Sequence, residues 1–369
     1  REMKDSGIEW IGEIPEDWST SRLGYVCDEF IVPMRDKPQV FDGNIPWCRI
    51  EDIEGKYLNG TKSEQYVSQK TIDEMNLKVY PIGTVINSCS ATIGVSAITT
   101  CPLCTNQTFI GLVAGEKISN VYLYYMMNAL SEYMKFTGHG STITYISQDK
   151  YKKFGIPLPS IYAQKCIAEY LDSKCTRIDE IIDEQQAIID KLKEYKLSII
   201  TEAVTSGIEP DVEMKDSGSV WFGNIPINWE MKRLKYVFHI QKDIAGEEGH
   251  TVLSITQRGI IPKDFSNNEG QFANSYANYQ LVHKGDFAMN HMDLLTGYID
   301  ISKQFGVTSP DYRVFTLSDS EHCFAPFYLR VFQIGYKRRI FYKFGKGAAN
   351  QGRWRLPITA FYDYAIQVP

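Results

Sequence analysis

The sequence contains no run approaching the roughly 18 to 20 apolar residues that a membrane-spanning helix requires. No membrane association is therefore expected. It also lacks a disulfide framework: Cys27, Cys48, Cys89, Cys101, Cys104, Cys166, Cys175 and Cys323 are scattered without pattern. No basic stub followed by an apolar core opens the chain, and Arg1-Glu2 ahead of Met3 reads as a trimmed edge. Reduced thiols and a cytoplasmic location are the expectation. Cys101-Pro-Leu-Cys104 has the spacing of a zinc ligand pair, but only Cys89 and His139 offer themselves as completing ligands, so no metal is expected. A phosphate-binding Gly-x4-Gly-Lys-Ser/Thr loop is missing, since Gly55-Lys56 and Gly345-Lys346 lack both the preceding spacing and the hydroxyl. This excludes a P-loop motor. A glycine motif for S-adenosylmethionine and the Asn-Pro-Pro-aromatic string of adenine methyltransferases are absent too, which excludes that chemistry. Positive charge is short overall, with a net charge of −6.

What is present is a folded composition, 43% hydrophobic and 23% charged, over 369 residues, a length that suits two domains. The acidic average hides one strongly cationic stretch. Residues 335–357 carry Lys337, Arg338, Arg339, Lys343, Lys346, Arg353 and Arg355 and no acidic residue.

The organising feature is a repeat. Residues 3–26, MKDSGIEWIGEIPEDWSTSRLGYV, return as 214–237, MKDSGSVWFGNIPINWEMKRLKYV, with fourteen of 24 positions identical. The matches include rare types: Trp10 with Trp221, Gly12 with Gly223, Pro15 with Pro226, Trp18 with Trp229. Each copy continues with a Gly-turn and strand (82–87; 284–290), a helix-like aromatic run (121–136; 325–344), a Gly-x-Gly loop (138–140; 345–347) and a proline-tipped strand (156–159; 366–369). The pattern predicts an α+β fold in two tandem domains, 1–159 and 207–369, related as an internal pseudo-repeat.

Between them, 160–206 predicts one long helix free of Gly and Pro until Ser206-Gly207 stops it. Heptad spacing places Leu171, Ile178, Gln185, Leu192 and Ile199 on one seam and Cys175, Ile182, Ile189, Lys196 and Ala203 on the next, as a coiled coil requires. About 45 residues at about 1.5 Å each would reach about 70 Å, too long to be packed inside one domain. The helix needs a partner. Duplication points to a second long helix after Pro369, so the natural chain is expected to continue there; the alternative is pairing with another subunit.

The order of domain, long helix and domain, with the phrases KDSGIEWIGEIPEDW (4–18) and IPLPSIYAQKCIAEYL (156–171), closely resembles the specificity subunits of type I restriction-modification systems. The likeness covers the whole chain. It departs at Tyr162-Ala163-Gln164, where the family usually has Pro and Glu before the Gln. The resemblance implies a non-catalytic subunit whose two target recognition domains each read half of a bipartite site on double-stranded DNA. It further implies that the helices set the separation of the half-sites and dock the modification (methyltransferase) subunits, with restriction subunits joining the assembly. Leu171, Ile178, Ile182, Ile189, Leu192 and Ile199 would form that interface. No cofactor would be bound by this chain; S-adenosylmethionine, ATP and Mg would belong to the partners. Half-sites one DNA turn apart lie about 34 to 36 Å from centre to centre, which such a helix spans with length to spare. Its six basic and nine acidic residues suit a spacer that avoids phosphate.

In the second domain the cations interleave with Tyr336, Phe341, Tyr342, Phe344 and Trp354. Lys337, Arg338, Arg339, Lys343 and Lys346 are candidate phosphate ligands. Asn350 and Gln351 have the geometry to pair with adenine, and Arg353 or Arg355 with guanine. A solvated helix face followed by an ordinary loop is the plainer reading of the same residues. In the first domain the equivalent loop is nearly uncharged, and reading would fall to His139, Ser141, Thr142, Thr144 and Tyr145, followed by Lys150, Lys152 and Lys153. Hydroxyl-rich loops are also common turns. Asn290, His291 and Asp293 resemble a polar catalytic trio, but such a cluster is ordinarily a hydrogen-bonded turn. Two other classes fit less well: a coiled-coil adaptor with duplicated protein- or glycan-binding domains, whose binding would be insensitive to salt, and an enzyme, for which no nucleophile-base constellation is present.

Overall fold

A computed structural model describes residues 2–34, 36–90, 92–137, 145–265, 273–295, 297–347 and 354–369. The chain divides into two compact units, residues 1–184 and 185–369. Mostly antiparallel sheets with few helices build both, with parallel pairs at Cys104–Thr105 and Tyr57–Leu58 in the first, so each mixes α and β structure.

The first unit opens with a hairpin, Met3–Asp5 against Glu13–Pro15, in the register Met3↔Pro15. The Asp5 carboxylate accepts a hydrogen bond from the Gly7 N–H at 2.9 Å, and Gly7 takes φ +66, which only glycine adopts at no steric cost. Trp10 Nε1 then donates to the Gly155 carbonyl at 3.0 Å, tying the hairpin to the strand Gly155–Leu158, which pairs with Ser19–Arg22. Beyond the short helix Leu23–Val26 the strand Cys27–Ile31 enters a five-stranded sheet with Phe109–Ala114, Val85–Ser88, Ser96–Thr99 and Tyr57–Leu58. The helix Asn120–Thr137 covers this sheet with Leu123, Met127, Leu130 and Met134, all fully buried at helical spacing.

The second unit uses the same opening. Met214–Asp216 pairs with Asn224–Pro226 in the register Met214↔Pro226, Asp216 accepts from the Gly218 N–H at 2.9 Å, and Glu230–Arg233 pairs with Ala365–Val368. Its main sheet runs Phe238–Gln241, Arg313–Leu317, Phe287–Met289 and Ile299–Ile301. Phe238, Phe287, Phe315 and Phe332 form the centre of the core, with the ring of Phe238 5.3–5.4 Å from three of its aromatic neighbours.

The helical run expected over 325–344 is two elements: an α-helix, Ala325–Lys337, and a 3-10 turn, Phe341–Phe344. The reason lies at Gly335. A Cβ there would sit 2.5 Å from the Phe341 ring, so the missing side chain lets the chain fold back and seat Phe341 on the helix.

The long helix is continuous over Ile161–Thr205. Ser160 Oγ accepts from the Ala163 N–H at 3.2 Å, capping its start. Gln164, fully buried, satisfies three backbone groups at once: it accepts from Ser119 N–H at 2.9 Å and donates to the carbonyls of Lys117 at 2.9 Å and Pro159 at 3.0 Å. Burial alone would raise the Asp172 carboxyl, but hydrogen bonds from Lys56 and Tyr125 hold it below its ordinary value. At the other end Val204 is buried in the second unit, and Gln367 Nε2 donates to its carbonyl. Gln164→Leu should therefore cost about 2–4 kcal/mol, because three backbone groups lose their partner. A urea midpoint unchanged from the parent would contradict that role.

Among the described residues no helix is long and apolar enough to cross a membrane, and no cluster of His, Cys, Asp and Glu is placed to hold a metal ion. Burial pushes the Cys48 and Cys104 thiols up to about 12, which keeps them protonated.

Candidate nucleic-acid interface

The cationic stretch of the second unit is displayed by a helix end. The Ile340 N–H reaches back to the Gly335 carbonyl and the Arg339 N–H to that of Tyr336, both at 2.9 Å, the paired closure that terminates many helices. Arg339 occupies the left-handed position of that motif at φ +54, where glycine is usual. Holding a long side chain there costs about 1 kcal/mol. Lys337, Arg338 and Arg339 are all exposed, and the negative end of the helix dipole favours their charge. Lys343 is exposed as well, with its Nζ 4.5 Å above the Trp221 ring, a residue of the repeated motif.

Next comes a two-residue ladder. Lys346 and Arg355 exchange backbone hydrogen bonds of 2.8 and 3.0 Å. Trp354 secures this base: its Nε1 donates to the Tyr342 carbonyl at 2.6 Å and its ring lies 5.4 Å from that of Tyr342. A Cβ on Gly345 would stand 2.3 Å from that Nε1, so glycine is needed for the indole to fit. Asn350, Gln351 and Arg353 lie outside the described residues.

In the first unit His139, Ser141, Thr142 and Thr144 lie outside the described residues, whereas Tyr145 is exposed and forms a bridge with Ser90. Lys152 reaches over the Phe30 ring at 5.8 Å. Ile146, which follows Tyr145, donates its N–H to the Cys89 carbonyl at 2.9 Å. Leu356, which follows Arg355, donates to the His291 carbonyl at the same distance.

The trio of Asn290, His291 and Asp293 behaves as a turn. Asn290 Oδ1 accepts from the Met292 N–H at 3.3 Å and Asp293 Oδ1 from the Leu295 N–H at 2.9 Å. His291 is pushed down to about 3 by burial and by the positive charges of Arg313 and Arg355, so its imidazole is neutral.

Sequence reading missed a group beside this turn. Gln241, Lys242, His291, Arg313, Lys346 and Arg355 line one cleft of about 590 Å³. Arg313 is buried, its Nη2 donating to the Leu356 carbonyl at 2.9 Å and its guanidinium lying 4.7 Å over the Phe361 ring. Desolvation pushes it down to about 10, so it stays charged at neutral pH. These residues are far apart in sequence, and a lone Arg in the strand Arg313–Leu317 carries no motif.

Residues 15–194 match the family model described as the type I restriction modification DNA specificity domain. That stretch is similar to the type I specificity family. It is 28% identical over 240 residues to the type I restriction enzyme MjaIX specificity subunit of Methanocaldococcus jannaschii, an alignment covering 63% of this chain and 54% of that one. With the EcoprrI specificity subunit of Escherichia coli it shares 31% identity over 134 residues, covering 34% and 32%. The chain spans about half the length of curated relatives such as the three Methanocaldococcus jannaschii specificity subunits. The crystal structure of the HsdS subunit from Thermoanaerobacter tengcongensis aligns over 96% of this chain and 86% of that one, with a TM-score of 0.51 at 15% identity, a likeness of fold. The matched region 15–194 takes in most of the first unit and the greater part of the long helix.

Proposed function

We propose that this chain is the DNA-reading, non-catalytic subunit of a cytoplasmic type I restriction-modification assembly, with two tandem target recognition domains that each read half of a bipartite duplex site. The observation that carries the reading is the exposed basic corner formed by Lys337, Arg338, Arg339, Lys343 and Lys346 around the base of a Gly-bounded loop. Such a corner offers phosphate ligands flanking a segment that can approach a groove. Lys337, Arg338, Arg339, Lys343 and Lys346 hold phosphates; Asn350 and Gln351, with Arg353 or Arg355, read base edges; His139, Ser141, Thr142, Thr144 and Tyr145 read the other half-site.

The two domains are an internal duplication. Support comes from the identical hairpin registers Met3↔Pro15 and Met214↔Pro226 and from the matching strand pairs that close each unit. The helix between them is a coiled-coil spacer that sets half-site separation and docks modification subunits. Ile178, Ile182, Ile189, Leu192 and Ile199 are exposed along it, an apolar surface suited to a second helix. S-adenosylmethionine, ATP and Mg belong to the modification and restriction partners.

The test is to express the protein with its modification subunit and sequence methylated adenines. A bipartite motif of which one half changes when Asn350, Gln351 and Arg353 are replaced supports the reading. Absence of any sequence-dependent methylation would favour the adaptor.

Arg339→Gly should separate stability from binding. Relief of the left-handed strain raises stability by about 1 kcal/mol, while loss of one phosphate contact lowers the slope of log affinity against log salt by about 0.9. A variant whose salt slope is unchanged, whatever its stability, would remove Arg339 from the interface.

A further inference from the structure

The cleft of the second unit contains more positive charge and more unmet hydrogen-bonding capacity than its fold requires. Arg313 Nη1, Gln241 Oε1 and His291 Nδ1 are all buried without a partner among the described residues, and all three residues line this one cleft. Lys242, Lys346 and Arg355 stand exposed around it, and none of its lining residues carries a carboxylate. Buried polar atoms are nearly always paired, so three orphans at one place mark a site built for something that arrives.

The first unit shows what the framework needs without that ligand. Strand register pairs Arg313 with Met289 and Ile110 with Asn87; the N–H bonds from Leu356 to His291 and from Ile146 to Cys89 correspond. Ile110, Cys89 and Tyr145 thus stand where Arg313, His291 and Arg355 stand. The same corner folds with a buried isoleucine in place of the buried arginine. Burying a guanidinium is costly, and backbone geometry does not demand it here. An aliphatic side chain serves the fold equally well at that position.

We propose that this cleft is a phosphate site, taking a phosphodiester of the DNA backbone with Arg313 at its floor and Lys242, Lys346 and Arg355 at its mouth. The proposal rests on the DNA-reading function proposed above and assigns Arg355 to backbone, leaving guanine reading in the loop to Arg353. Neutral His291 and the Gln241 amide, which can present either its N–H₂ or its oxygen, supply uncharged partners beside the anion.

The test measures duplex affinity of the intact protein against salt for Lys242→Ala, Arg313→Met and, as a reference outside the cleft, Lys337→Ala. Lys242 is exposed, so its variant folds whatever happens at Arg313. Each cleft variant should weaken target and non-target duplexes alike, about three- to tenfold at 0.15 M salt, and lower the salt slope by about 0.9. If Lys337→Ala lowers the slope and both Lys242→Ala and a folded Arg313→Met leave it unchanged, the cleft proposal is overturned while the DNA reading stands. If the parent shows no salt-dependent duplex binding, both fall. Thermal stabilisation by inorganic phosphate that disappears in Lys242→Ala, with duplex affinity unaltered, would make the ligand a free phosphate and overturn the DNA assignment.

Discussion

Replacing Lys337, Arg338, Arg339 and Lys343 together by alanine lowers duplex affinity by about two to three orders of magnitude at moderate salt and flattens the salt dependence. Each phosphate contact contributes about 0.9 to the slope of log affinity against log salt, so four lost contacts should reduce it by between about three and four. The loss should be equal on target and non-target duplexes, because phosphates carry no sequence. Lys337, Arg338 and Arg339 are exposed at a helix end, so their removal leaves the core intact. Lys343 is different: its cation over Trp221 contributes about 0.5–1 kcal/mol, and circular dichroism and a urea midpoint must accompany the binding curves. A quadruple variant with unchanged slope would move DNA contact away from this corner altogether.

The second large effect concerns the helix. Ile182, Ile189 and Leu192 are 59%, 45% and 58% exposed, so changing all three to glutamate should alter the stability of either unit by no more than about 0.5 kcal/mol per site. Covered by a partner helix, each would contribute about 1.5–3 kcal/mol by burial. Three glutamates should then weaken assembly with the modification subunit at least about a thousandfold. Sedimentation velocity of the mixed subunits reads the result directly. Assembly at parental strength would mean the partner docks elsewhere, and the exposed seam would need another explanation.

Much of this was legible in the residues. The repeated phrase around Trp10 and Trp221 forms the same local structure twice: an Asp-x-Gly turn and a hairpin of fixed register are local devices, specified within a dozen residues. The long helix was legible for the same reason. Forty-five residues without Gly or Pro, opened by a Ser cap and stopped before Gly207, encode a helix by short-range chemistry. Candidate loops could be placed by their glycines and charges, although Asn350, Gln351, Arg353, His139, Ser141, Thr142 and Thr144 lie outside the described residues.

Where side chains act across long separations, the sequence was silent. The helix expected over 325–344 breaks after Lys337 because Phe341 returns to a space that Gly335 leaves open. Gln164 looks like any surface glutamine in a helix start, yet it is buried against backbone groups 45 and 47 residues away. The cationic cleft gathers Gln241, His291, Arg313 and Arg355 from four separate segments. Sequence by itself determined the repeated hairpins and the long helix, because turns, caps and periodicity are local. Only the tertiary structure decided which distant polar groups share one cleft and which are left without partners, because that depends on strand register and burial between segments many residues apart.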